Sequence, residues 1–216
     1  MAGLIIKDLI NLKRYGKILG VLIAIYAIMS FINKDVSMFN SFFTVVLAMI
    51  TISSYSFDEA AKWDSYALSM PVDRKDIVRG KYCLLLIITL IGLGISLLFT
   101  VSINLYTGSN SLLKNFEFSI IGGLGLLFLY SIIIPFITRF GVEKARIIII
   151  IVLMLPMAIG YLIKNSFNNE IIIPEIILEI SELFLQYKSI IVSIGIVLAL
   201  SISYNISVKI YQKKQF

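Results

Sequence analysis

The chain has no histidine, one cysteine, and only 15% charged residues. Each shortage removes a class of function. Cys83 has no partner for an intrachain disulfide, and with no histidine beside it, it builds no metal site. At the edge of an apolar run, it reads as a small buried residue. No Asp, Glu, Lys or Arg falls inside the long apolar runs, whereas an ion-coupled transporter or proton relay needs such a residue within the bilayer. A membrane hydrolase needs a nucleophile with a base, or a metal with histidine or carboxylate ligands, and neither can be assembled here. The chain lacks the G-x-x-x-x-G-K-[ST] phosphate loop. Its GGLG at 122–125 lies in an apolar run, where small residues allow close helix packing. These absences predict no catalytic residue, no metal and no cofactor in this chain.

What is present is hydrocarbon. The 216 residues are 59% hydrophobic, with a mean hydropathy of +0.96. Soluble domains sit near 45–50% apolar and about 25% charged. The apolar residues come in continuous blocks, too long for the alternating strands of a barrel, so an all-α polytopic membrane protein is predicted. Runs of about 20 apolar residues give six candidate spans, at 18–33, 38–57, 82–106, 118–138, 147–163 and 189–208. The fifth is short, but its length still reaches ~26 Å, close to the hydrocarbon thickness. Pro135 and Pro156 fall within spans four and five and are expected to kink them. Asn104 and Asn205 are the strongest polar groups, both toward span ends. The first run starts only near residue 18, behind a structured-looking segment, so it is expected to be a retained helix rather than a signal peptide. One transmembrane domain over 1–216 accounts for the whole chain.

Lysine and arginine set the orientation. The N-terminal segment, the segment after span two, the loop after span four and the tail carry four, five, three and three of them. The other side carries only Lys34, Lys114, Lys164 and Lys188. Fifteen against four is a positive-inside bias that places both termini in the cytoplasm. The net charge of +6 is thus a topology signal, and no nucleic-acid partner is implied.

Three segments outside the spans carry pattern. In LIIKDLINLKRYGK, Ile5, Leu9, Leu12 and Gly16 share a helical face, with Lys7, Asp8, Asn11 and Arg14 largely elsewhere, which predicts an interfacial amphipathic helix. Between Pro174 and Lys188, Ile176, Ile177, Ile180, Leu183 and Phe184 oppose Glu175, Glu179, Glu182 and Gln186, which predicts an outer amphipathic helix. The most informative segment is DEAAKWDSYALSMPVDRKDIVRGK, Asp58 to Lys81. It holds ten charges in twenty-four residues and the only tryptophan. Asp58 is expected to cap a short helix on which Trp63, Tyr66, Ala67 and Met70 form one stripe at i, i+3, i+4 and i+7, stopped by Pro71. Asp73 is expected to cap a second helix running into span three. A solvated loop leaves the aromatic stripe unexplained, whereas aromatic anchors ringed by charge are how protein interfaces are built.

This segment resembles that of the ABC-2 type permeases, the membrane halves of ATP-binding-cassette exporters. The resemblance rests on the acidic pair Asp58 and Glu59 after span two, then Trp63, then SMPVDRKDIVRGKY with Pro71, Val72, Arg74, Ile77, Val78, Lys81 and Tyr82. Within that family the chain is most similar to the permease subunits of phenol-soluble modulin exporters, which move amphipathic helical peptides out of Gram-positive cells. The resemblance implies a cytoplasmic coupling helix after span two that docks on a separate ATPase subunit, which holds ATP and Mg. It points to Asp58, Glu59, Trp63, Tyr66, Met70, Pro71 and Arg74, with Arg139, Glu143 and Lys144 of the loop after span four, as the coupling residues. It further implies a bacterial cell-membrane protein, paired with itself or a paralogous permease, in contact with lipid, exporting amphipathic peptides or lipid-like cargo. The rival from another class is a non-transporting scaffold or immunity protein that binds a peptide toxin.

Overall fold

The structure, a computed structural model, describes residues 2–13, 16–67, 69–107, 112–148, 151, 154 and 188–214. It is all-helical over these residues. The labelled helices are α1 (Ala2–Lys13), α2 (Gly16–Asn33), α3 (Val36–Ala60), α4 (Trp63–Ala67), α5 (Arg74–Thr107), α6 (Leu112–Phe140) and α7 (Lys188–Lys213). Residues 142–148 are also helical. Five helices, α2, α3, α5, α6 and α7, are long and apolar enough to cross a membrane. They contain the expected windows 18–33, 38–57, 82–106, 118–138 and 189–208. Most are longer than their windows, because a helix does not stop where its apolar residues do. The window 147–163 lies outside the described residues except at 147, 148, 151 and 154, and the expected helix after Pro174 lies outside them up to Lys188.

The turn between α2 and α3 is set locally. Lys34 adopts φ 55°, which ends α2, and the Asp35 side chain accepts a hydrogen bond from the Ser37 amide at 2.9 Å, capping α3. α3, α5 and α7 pack around α6, while α2 packs on α3 and α1 on α3 and α5. Small residues allow the closest approaches. A Cβ at Gly92 of α5 would overlap the Leu47 side chain of α3, and a Cβ at Gly123 of α6 would overlap Leu93 of α5. The small-residue run in α6 therefore serves helix packing, as its sequence suggests. α6 also contains Pro135.

Inside the bundle lies a polar node that no apolar window announced. Ser96 Oγ donates to Asn40 Oδ1 at 2.7 Å, and Asn40 Nδ2 donates to Ser119 Oγ at 2.7 Å. Asn40 is 3% exposed, so one carboxamide ties α3 to α5 and α6 where water cannot replace it. Asn40→Ala is expected to cost about 1–2 kcal/mol, the upper range for interhelical hydrogen bonds in membranes. The check is the thermal midpoint of the detergent-purified chain; an unchanged midpoint would show the node to be dispensable.

The ends of the helices are sorted. α1, α4, the start of α5, the end of α6 and the end of α7 meet at one end of the bundle, where Lys7, Arg74, Arg139 and Lys214 lie. The α2–α3 turn with Lys34 lies at the other. α6 and α7 both run toward the end that carries α4.

Candidate coupling site at the charged end of the bundle

The site begins with four charges. Lys7 of α1 approaches Asp58 Oδ1 of α3 at 2.5 Å, and Lys81 of α5 approaches Asp58 Oδ2 at 2.5 Å and Asp8 Oδ2 of α1 at 2.9 Å. Lys7 also sits 3.1 Å from Asp8 Oδ1, close enough for an ion pair but without the geometry of a hydrogen bond. Lys81 donates further to Ser54 Oγ at 2.8 Å. The quartet is electrically neutral. Asp8, Asp58 and Lys81 are only 3%, 8% and 8% exposed. Burial of this kind is tolerable only because every charge faces an opposite one.

Two expectations are corrected here. Asp58 does not cap a helix after span two; it lies in the last turns of α3, its carboxylate turned inward to the two ammonium groups. The single apolar face expected of α1 is also divided: Leu12 is buried with Ile5 packed beside it, Leu9 is exposed, and Gly16 starts α2. Asp8 and Leu12 point into the bundle, while Ile6, Leu9 and Ile10 are exposed. Lys81 is the reason: it makes the interior attractive to a carboxylate.

The short helix α4 is braced from behind by this cluster. Lys7 Nζ lies 4.1 Å from the centre of the Trp63 ring, a cation–π contact. Trp63 is half-buried and packs on the core, and Ala67 is 1% exposed. Asp64 accepts from the Tyr211 hydroxyl at 2.9 Å and lies 3.8 Å from Lys214, joining α4 to the end of α7. Tyr66 points the other way, 58% exposed. The expected stripe is therefore divided. Trp63 and Ala67 face the bundle, and Tyr66 faces out. Met70 lies beyond the end of α4, in a tight turn where the Met70 amide donates to Ala67 O at 3.2 Å, followed by exposed Pro71.

Arg74 starts α5 and reaches the end of α7, donating to the carbonyls of Gln212 at 2.6 Å and Lys214 at 3.0 Å. A cation placed on the last carbonyls of a helix offsets its negative terminus. The loop after α6 is joined to the same cluster through Glu59, whose Oε2 accepts from the Val142 amide at 2.7 Å. That contact requires Gly141, at φ +84°, because a Cβ there would sit 2.7 Å from Glu59 Oε1. Arg139, Glu143 and Lys144 all remain exposed beside it. Between these elements is a cavity of about 110 Å³, bordered by Tyr55, Asp58, Glu59, Asp64 and Lys81.

The coupling residues expected from sequence thus fall at one end of the molecule in two groups. Asp58, Glu59, Trp63 and Arg74 tie helices together; Tyr66, Pro71, Arg139, Glu143 and Lys144 lie on its surface, with Met70 half-buried between them. Sequence reasoning missed Lys7 and Asp8 as partners of Asp58 and Lys81. The available signal was two opposite charges side by side in an amphipathic helix.

A family model described as "ABC-2 family transporter protein" matches residues 3–212. The chain belongs to the ABC-2 family of transporter proteins. Comparison with curated proteins and with solved structures gives no match. As a member of the ABC-2 family, the chain is a multi-pass membrane subunit of an ATP-binding-cassette transporter.

Proposed function

We propose that this ABC-2 chain is the permease of a bacterial exporter and receives the work of a separate ATPase subunit through α4. The observation that carries the reading is the asymmetry of α4. Its inner side is fixed by Lys7, Asp64 and Ala67, and its outer side presents exposed Tyr66 next to Met70 and Pro71. A rigid helix with an outward aromatic is suited to anchoring in a partner's groove. Force applied there passes to α1, α3 and α5 through the quartet and to α7 through Asp64 and Arg74. ATP and Mg belong to the partner.

In this reading the domain is residues 1–216 with six spans, and both termini are cytoplasmic. The shared direction of α6 and α7 supports a further crossing between them, for which the sequence offers the apolar run 147–163. The positive-inside count supports the orientation. The exposed Ile6, Leu9 and Ile10 of α1 suit the membrane interface. The permease would pair with a second copy or a paralogue and move amphipathic peptides, as the permeases of phenol-soluble modulin exporters do, or lipid-like cargo.

Co-expression of the tagged chain with the ATP-binding-cassette ATPase encoded beside it tests the reading. Tyr66→Ala with Met70→Ala is expected to reduce co-purified ATPase by roughly 30-fold, the size of a hot-spot loss, with unchanged membrane insertion. Trp63→Ala is expected instead to lower the yield of folded chain. Wild-type recovery of ATPase with the Tyr66/Met70 pair replaced would place docking elsewhere. Hydrolysis by the recovered complex, with and without amphipathic helical peptides, then tests the cargo.

A further inference from the structure

The flank of the bundle holds a feature that the coupling site does not use. An open groove of about 450 Å³ runs between α5 and α7, bordered by Arg79, Cys83 and Leu86 on one side and by Leu200, Ser201, Tyr204 and Asn205 on the other. The groove is shallow and open along the flank of the bundle. Its floor is fixed, since the Tyr82 hydroxyl is hydrogen-bonded to Ser203 at 2.6 Å and Ser207 at 3.0 Å, joining the two helices.

The chemistry of the groove changes along its length. Among the described residues that border it, Arg79 alone is charged. It is exposed and makes no ion pair or hydrogen bond with any described residue. Asn205 is likewise exposed and without a side-chain partner among the described residues. Leu86 and Leu200, further from the charged end, are apolar. The depth of each group follows from helix rise. Arg79 lies ~8 Å from the start of α5, and Leu86 ~18 Å. The uncharged stretch of α5 begins at Tyr82, one turn beyond Arg79. Asn205 lies ~12 Å from the end of α7, within its uncharged stretch.

We propose that this groove is a binding site for an anionic phospholipid of the leaflet on the side of α1 and α4. The guanidinium of Arg79 would take the phosphate through charge-assisted hydrogen bonds, which its forked donors favour. The Asn205 carboxamide would bond the glycerol–ester region, and one acyl chain would follow Leu86 and Leu200. Charge complementarity selects this occupant: a cation one turn outside the uncharged stretch, a neutral hydrogen-bonding group below it, and hydrocarbon below that. The site does not depend on where an ATPase docks or on which cargo is moved.

The test is native mass spectrometry of the full chain in detergent, titrated with phosphatidylglycerol or phosphatidylcholine. Wild type is expected to retain phosphatidylglycerol in preference to phosphatidylcholine. Arg79→Gln should weaken phosphatidylglycerol binding at least about tenfold, and Asn205→Leu should weaken it less. Lys209→Gln removes an exposed cation one turn along α7 and is expected to change binding by less than about twofold. All variants alter exposed side chains, and an unchanged elution profile verifies folding. Excess inorganic phosphate should not displace the lipid, because the acyl contact is missing. Equal loss with Arg79→Gln and Lys209→Gln would reduce the effect to general surface charge and overturn the site. Displacement by inorganic phosphate would make it a free-phosphate site. Wild-type lipid binding by Arg79→Gln, with a loss of dimer instead, would assign the groove to a second copy of the chain.

Discussion

Lys81→Ala is expected to destabilise the chain by about 3–5 kcal/mol, the usual cost of removing one partner from a buried ion pair. The loss leaves Asp8 and Asp58 facing each other with only Lys7 between them. It also removes the donor to Ser54 and the ammonium 5.0 Å from the Tyr55 ring. The measurement is the fraction of chain that survives graded heating in detergent, read by size-exclusion elution. Neutralising a matched pair should cost less than the single changes suggest. Asp8→Asn with Lys81→Met keeps Lys7 opposite Asp58, so the double variant is expected to recover part of the loss, with a coupling of about 1–3 kcal/mol. Strict additivity of the two changes would mean that the quartet does not act as a unit.

Gly141→Ala carries the second large effect, for two separable reasons. An alanine at φ +84° costs about 1–2 kcal/mol in the left-handed region. Its Cβ also pushes on the Glu59 carboxylate, which holds the Val142 amide, a charge-assisted bond whose loss costs about 1.5–3 kcal/mol. A total of about 2.5–5 kcal/mol is expected in the same heating assay. In a Glu59→Ala background the collision is gone, and Gly141→Ala should cost only the backbone part. An equal cost in both backgrounds would show that Glu59 plays no part in holding the turn.

These two sites mark the boundary of what the sequence reveals. The five described spans were legible because each is a local run of twenty or so apolar residues, and lipid demands little else of a helix. The sorting of cations to one end was legible for the same reason: it is counted loop by loop. The quartet was not, because Lys7, Asp58 and Lys81 are separated by more than twenty residues each, and no periodicity relates them. Asp58 looks like a helix cap when only its neighbours are considered; its actual partners lie on α1 and α5. Arg74 belongs to a motif that suggests docking, yet its guanidinium is engaged by the carbonyls of α7, on the far side of the sequence. Asn40 lies in its span with Ser41 and Thr44 close by, and nothing local singles it out; only the crossing of three helices brings Ser96 and Ser119 to it.

The uninterrupted length of α5 has a mechanical consequence. Gly92 is gripped by Leu47 from one side, and its neighbour Leu93 by Gly123 from the other, so the rod has a fulcrum near its middle. The arms are ~27 Å toward Arg74 and ~22 Å toward Thr107. A rigid tilt about that point converts a sideways push at the α4 end into an opposite movement at the far end, about four-fifths as large. With such leverage, opening one face of the bundle and closing the other become a single motion.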